Sequence, residues 1–196
     1  MSKINKSKVI IASISVLMFI TLIFMVFFSK NNIIDGIIFD RSKNAITIFS
    51  YLTRLGDWYT LIIITLMLLI LKNKKYFKYT SINLAIITLL NQLLKNIIKR
   101  PRPVIGGGKF SGYSFPSGHA MVSMAFYGLL IYLVFSSNLN KKVKILLITC
   151  LSLIILLIGF SRIYLGAHYI TDVLSGFTLS IFYLTIYTSL IKMGDE

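Results

Sequence analysis

The sequence predicts an all-α integral membrane protein, a single bundle of six transmembrane helices spanning residues 1–196. Three observations carry that prediction. Hydrophobic residues make up 56% of the 196-residue chain and charged residues only 14%, whereas a soluble domain carries about 25% charged residues. The mean hydropathy is +0.81. Uncharged apolar runs of membrane-crossing length recur along the chain, and lysine clusters or Gly/Pro-rich stretches separate them.

The first run, Val9–Phe28, follows Lys3, Lys6 and Lys8 in the manner of a signal peptide. It is longer than a signal h-region and no A-x-A cleavage site follows, so it reads as a retained first helix. A polar stretch from Ser29 to Asp57 comes next, with a short interfacial helix through Ile46, Phe49 and Leu52. The second span starts near Trp58, an aromatic suited to the interface, and ends at Leu71. That is short for about 30 Å of hydrocarbon, so this helix must begin earlier or lie tilted in a bundle. Lys72, Lys74, Lys75 and Lys78 close it. The third span runs from Thr80 to Ile98 and carries Lys95 near its end. A Gly/Pro-rich loop, Pro101–Pro116, leads into the fourth, Ser117–Phe135. Lys141, Lys142 and Lys144 precede the fifth, Ile145–Ile163, and a turn at Gly166 leads to the sixth, Tyr169–Leu190.

The net charge of +15 comes from 21 Lys+Arg against 6 Asp+Glu. Such a balance serves nucleic acid, an anionic membrane surface or an anionic substrate. Nucleic acid is disfavoured, because the basic residues flank apolar runs instead of forming one soluble patch. With both termini cytoplasmic, 11 of the basic residues face inward and 10 outward. Six of the outward ones, Lys95, Lys99, Arg100, Arg102, Lys109 and Arg162, stand in or beside one group of motifs; setting them aside restores the positive-inside pattern. An outward concentration of cations calls for an anion at the outer membrane edge. Cys150, the single cysteine, excludes disulfide frameworks, CxxC redox pairs and cysteine zinc sites; within its apolar run it reads as a small core residue.

Three clusters at the ends of apolar runs carry the chemistry. His168 and Asp172, four apart at a helix start, share one face. A carboxylate there fixes the imidazole tautomer and leaves the other nitrogen as a nucleophile; a polar helix start with Asp favoured by the dipole is the plain alternative. Pro116-Ser117-Gly118-His119 opens the fourth span. Capping accounts for Pro, Ser and Gly, and free N–H groups at a helix start bind phosphate oxygens. His119 is left over, placed for general acid work. Both histidines of the chain fall in these clusters. Lys95, Arg102 and Arg162 converge on the same edge and can neutralise a phosphoryl group. Lys99, Arg100 and Lys109 read as snorkelling to headgroups. Asp172 is the only acid the sequence places near the site, so a Mg²⁺ or Ca²⁺ hydrolase is disfavoured and no cofactor or metal is expected.

Lys95-(x6)-Arg102-Pro103, Pro116-Ser117-Gly118-His119 and Ser161-Arg162-(x5)-His168-(x3)-Asp172 together resemble the type 2 phosphatidic acid phosphatase family, in that family's order and without departure. The resemblance covers residues 58–182. It implies six transmembrane helices and a metal-independent phosphohydrolase. His168 is then the phosphohistidine nucleophile, Asp172 polarises it and His119 acts on the leaving group. Lys95, Arg102, Ser117, Gly118 and Arg162 hold the phosphate. The family also contains soluble vanadate-binding haloperoxidases, a branch that the membrane character disfavours. The expected protein is a multi-pass cell-membrane enzyme with cytoplasmic termini and an outward site. Its partners are the bilayer and a lipid phosphate, among phosphatidylglycerophosphate, phosphatidic acid and undecaprenyl diphosphate; no obligate protein partner is inferred. A lipid phosphotransferase and a non-enzymatic lipid-phosphate carrier are the alternatives. Lipid access is expected beside the third and fourth spans, near the flexible Gly106-Gly107-Gly108 loop.

Overall fold

The computed structural model describes residues 6–28, 35–36, 41–104 and 110–191, and every regular element among them is helical. These are α1 (Lys6–Phe28), α2 (Lys43–Leu52) with a 3-10 turn (Thr53–Gly56), α3 (Trp58–Ile70), α4 (Lys74–Ile98), α5 (Gly118–Ser136), α6 (Lys141–Tyr164) and α7 (Ile170–Leu190). Among the described residues, five helices are long and apolar enough to cross a membrane; a sixth span forms if Lys43–Gly56 and Trp58–Ile70, bent by 46°, are taken together. The chain is a multi-pass membrane protein. The Gly106-Gly107-Gly108 loop and Lys109 lie outside the described residues.

The bent pair answers the short second run. At 13 residues, α3 reaches only about 20 Å, and the helical path does begin earlier, through α2 and its turn. Asp57 interrupts that path with extended backbone, φ −71° and ψ 144°. The lysine cluster also differs from expectation. Lys74, Lys75 and Lys78 form the first turns of α4, because Asn73 Oδ1 accepts the Tyr76 N–H at 3.1 Å and starts the helix there. Long lysine stems let such a helix emerge from hydrocarbon without burying charge.

α5 occupies the middle, packed against α4, α6 and α7, while α1 lies along α7 and α3 along α4. Ala120, Met121, Ala125, Phe126 and Leu129 of α5 are fully buried. Small side chains there let neighbouring backbones approach, which is how helices associate where lipid removes the hydrophobic drive. A Cβ on Gly176 of α7 would stand 3.0 Å from Met121 N and 3.1 Å from Ser117 O, so glycine alone permits that crossing. Buried polar groups bind across helices: Asn83 Nδ2 donates to Ala125 O at 3.1 Å, Ser180 Oγ to Met121 O at 2.7 Å, and the Tyr187 hydroxyl to Tyr79 O at 2.7 Å. Leu17, Phe24, Ile70, Leu89, Leu146 and Leu190 face outward, as a lipid-facing surface requires. Cys150 is exposed on α6 and not in the core; a thiol is apolar enough for that lipid-facing position.

The start of α1 meets the end of α7, where Lys8 Nζ donates to Ser189 Oγ at 3.1 Å. The opposite end of the bundle collects the C-termini of α4 and α6 and the N-termini of α3, α5 and α7. All three motif clusters sit at that end.

Candidate active site

The turn from α6 into α7 builds the first part of the site. Gly166 takes the left-handed conformation, φ 67°, and the N–H groups of Ala167 and His168 both donate to Arg162 O, at 3.0 and 3.2 Å. His168 is thereby fixed at the start of α7, nearly inaccessible. Asp172, fully buried, accepts the Tyr169 N–H at 3.0 Å and the Ser114 hydroxyl on the same oxygen, Oδ2. That oxygen lies 3.5 Å from His168 Nδ1. Capping and pairing, posed as alternatives from sequence, are both present. On the far side of the ring, Nε2 stands 3.2 Å from Arg102 Nη1.

Arg102 is itself held by the backbone. Its Nε donates to Ser111 O at 3.0 Å and Gly112 O at 3.1 Å, and Nη1 donates to Ala167 O at 2.8 Å. Lys95 Nζ donates to Tyr113 O at 2.6 Å, and its Cε lies 3.9 Å from where a Cβ on Gly118 would stand. Arg162 is buried, with Nη1 donating to Thr53 Oγ1 at 3.0 Å. The Arg162 and Arg102 guanidinium carbons lie 5.2 and 5.9 Å from the Phe110 ring centroid. Loop and helices thus bring Lys95, Arg102 and Arg162 to one end of the bundle.

Ser117 departs from the expected cap. It occupies the N-cap position of α5 and its N–H donates to Asp172 O at 3.0 Å, which ties α5 to α7. Its hydroxyl makes no capping bond. Among the described residues, Ser117 Oγ and Arg162 Nε are buried without a hydrogen-bond partner. Buried donors of this kind are costly to leave unpaired, so these two groups beside the cations are candidate donors to an anion. The first N–H groups of α5 add further donors.

Four residues of the site were not read from the sequence. Arg100 was assigned to headgroup snorkelling, but it is an inward ion-pair partner: Nη1 lies 2.6 Å from Asp172 Oδ1 and Nη2 2.7 Å from Asp35 Oδ2. Two carboxylates offer more to a planar guanidinium than headgroups at a wet interface do. Asp172 is also not the only acid nearby. Asp35 receives the Thr171 N–H at 3.0 Å, and Asp57 Oδ1 lies 2.8 Å from His119 Nε2. Ser114 completes the set. The one available signal was Asp57 itself, a lone acid at the start of an apolar run.

Burial, with the charges of Arg162 and Arg102 added, holds the His168 imidazole far below its ordinary value, at about 3, although Asp172 opposes the shift. The ring is therefore neutral at physiological pH, and Asp172 and Arg102 divide its two nitrogens between a proton and a lone pair. Such an arrangement can present a nucleophilic nitrogen to a tetrahedral anion held by fixed cations. Among the described residues, no three of His, Cys, Asp and Glu converge as a ligand set for a metal ion. An apolar groove of about 650 Å³ runs between α3 and α4, lined by Trp58, Ile62, Thr65, Leu84, Ala85 and Thr88. Val122 is the α5 contribution to its lining.

The fold is that of a membrane-embedded helical bundle that gathers both histidines and the motif cations at one end. The chain belongs to the PAP2 superfamily, which it matches over residues 76–194. It is 40% identical over 114 residues to phosphatidylglycerophosphatase B of Bacillus subtilis, covering 55% of this chain and 52% of that protein. It is 33% identical over 117 residues to dolichyldiphosphatase of Saccharomyces cerevisiae, covering 55% and 48%. The matched segment spans about half the length of these curated relatives. A transmembrane PAP2-type phosphatidylglycerolphosphate phosphatase from Bacillus subtilis superposes with a TM-score of 0.79 at 26% identity, over 93% of this chain and 98% of that one. Aquifex aeolicus LpxE superposes with a TM-score of 0.61 at 26% identity, over 74% and 87%.

Proposed function

We propose that this protein is a metal-independent lipid phosphate or diphosphate phosphohydrolase that works through a phosphohistidine on His168. The observation that carries this reading is the placement of one imidazole between Asp172 and Arg102, beside the unpartnered Arg162 Nε and Ser117 Oγ. In the first half-reaction the substrate phosphoryl group rests on Lys95, Arg102, Arg162, Ser117 and the Gly118 backbone. His168 Nε2 attacks phosphorus in line as the P–O bond to the lipid breaks. Its electron pair leaves with the lipid oxygen, which takes a proton from His119. Asp172 accepts the His168 Nδ1–H and balances the charge that the ring gains. In the second half-reaction His119 takes a proton from water, the hydroxide attacks phosphorus, the N–P bond breaks and phosphate departs.

The substrate class follows from the membrane setting. Relatives are named for phosphatidylglycerophosphate and for dolichyl diphosphate, and phosphatidic acid and undecaprenyl diphosphate share the same terminal phosphate on an apolar tail. The groove between α3 and α4 suits such a tail. The site faces outward and the termini inward, since the lysines opposite the site then obey the positive-inside bias.

The test is rapid quenching of purified protein with ³²P-labelled lipid phosphate in EDTA. An acid-labile, alkali-stable phosphoenzyme that is absent from His168→Ala is expected, with free phosphate as product. Full turnover by His168→Ala rejects the nucleophile, whereas lipid-phosphate binding with no phosphate release by the wild type favours a lipid-phosphate carrier. A phosphotransferase declares itself if little free phosphate forms and an added lipid or sugar acceptor takes the label instead.

A further inference from the structure

We propose that Asp57 is a positioning residue that keeps a proton on His119 Nε2, so that Nδ1 both gives the proton to the leaving lipid oxygen and later takes one from water. This rests on the role of His119 stated above. Asp57 Oδ1 lies 2.8 Å from His119 Nε2, and its other oxygen accepts the Tyr59 hydroxyl at 2.6 Å. The carboxylate is thus held on both oxygens, with one aimed at the ring.

The surrounding backbone is arranged to keep it there. A Cβ on Gly56 would come 3.2 Å from His119 Cδ2, 2.7 Å from Ser123 Oγ and 2.9 Å from Ile158 Cγ2. The 3-10 turn therefore lies close against the ring edge that carries Nε2, and a larger residue at Gly56 would force its neighbours to shift. α5 grips the turn through the Tyr127 hydroxyl, which donates to Leu55 O at 2.8 Å, and α6 through Arg162 Nη1 on Thr53 Oγ1 at 3.0 Å. The Asp57 N–H donates to Arg54 O at 3.1 Å and the Thr60 hydroxyl to the same carbonyl at 2.7 Å. The 46° break between the two helical pieces falls at Asp57 and delivers its carboxylate to His119.

The two histidines are then used on opposite ring edges. His168 turns Nδ1 to Asp172 and presents Nε2; His119 turns Nε2 to Asp57 and presents Nδ1. With its Nε2–H pinned, the protonated His119 that delivers an Nδ1 proton to the departing oxygen is left in the tautomer that can deprotonate water. A carboxylate that orients a catalytic imidazole is typically worth 10–100-fold or more.

The test separates leaving groups in single-turnover formation of the phosphoenzyme. A lipid alkoxide needs the proton; p-nitrophenolate leaves without one. Asp57→Asn is expected to slow phosphorylation by the lipid phosphate about 10–100-fold and by p-nitrophenyl phosphate less than about threefold. His119→Asn shows the same selectivity, and adding Asp57→Asn to it changes the rate by less than about twofold, since both act through one group. Equal slowing with both substrates overturns the proposal in favour of a structural role. Unchanged rates in Asp57→Asn beside a selective His119→Asn overturn it while leaving the proposed function intact. A non-selective His119→Asn overturns the acid assignment itself, and the proposal with it. If Asp57→Asn does not fold, Tyr59→Phe decides: selective slowing of a few-fold supports the proposal, and equal slowing or none overturns it.

Discussion

Arg100 Nη1 stands 2.6 Å from Asp172 Oδ1, and the other end of the same guanidinium stands 2.7 Å from Asp35 Oδ2. The fork therefore joins the carboxylate behind His168 to the connection between α1 and α2. Nη1 also donates to Thr171 Oγ1 at 2.8 Å, and the guanidinium lies 4.1 Å from the Tyr169 ring centroid. A lysine has one point charge and cannot span these partners. Arg100→Lys should lower turnover about tenfold, as loss of an orienting contact does. Arg100→Gln should cut deeper and also lower the unfolding midpoint, because removing one partner of a buried pair costs about 3–5 kcal/mol. Phosphate release and thermal unfolding in the same detergent check both. Arg100→Gln with unchanged activity would show that Asp172 needs no such support.

Arg162 Nε and Ser117 Oγ, buried and unpaired among the described residues, should be satisfied by the product anion. Inorganic phosphate is then a stabilising ligand, and at a hundred times its dissociation constant it adds about 2.7 kcal/mol to the folded state. The unfolding midpoint of the wild type should rise with phosphate and stay flat with chloride at equal ionic strength. Arg162→Gln and Ser117→Ala should each lose at least half of that rise. A rise that survives both substitutions would place the anion elsewhere.

Ala85 and Thr88 of α4 and Ile62 and Thr65 of α3 line the groove between these helices. Filling it with Ala85→Trp should raise KM for a long-chain lipid phosphate about tenfold, because apolar contact is lost along several methylene groups. It should leave kcat/KM for p-nitrophenyl phosphate unchanged, since that probe has no tail. Equal losses on both substrates would mean that the indole disturbs the site instead of the tail path.

Much of this was legible because charge is scarce in an apolar chain. His168, Asp172, His119, Lys95, Arg102 and Arg162 stood out at the ends of apolar runs, and local spacing put His168 and Asp172 on one face before any tertiary contact was known. Arg100 was hidden by its neighbours: beside Lys99 and Arg102 it has the pattern of a headgroup-facing cation, and its partner Asp35 is 65 residues upstream. Asp57 meets His119 across 62 residues, with no periodicity to announce it. Helix bounds were blurred for a different reason. Apolar runs mark the hydrocarbon-facing middle of a helix, while caps such as Asn73 and Asn140 carry α4 and α6 on into lysine-rich ends.

The last prediction concerns acid. His168 is neutral in the folded protein because burial and the Arg162 and Arg102 charges hold it at about 3, against 6.5 for the ordinary group. The unfolded chain therefore takes up a proton near pH 6.5 that the folded chain refuses. Between pH 6.5 and about 3 the unfolded state binds more protons, so stability must fall as pH falls, with an upper slope of about 1.4 kcal/mol per pH unit for one group. Above pH 6.5 both states carry neutral imidazole and this contribution is flat. Replacing the ring by an amide removes the titration, so the difference in unfolding midpoint between pH 7.5 and pH 4.5 should be smaller in His168→Asn than in the wild type. Identical pH dependence in the two proteins would mean that the folded state accepts the proton readily, and that Asp172 outweighs burial.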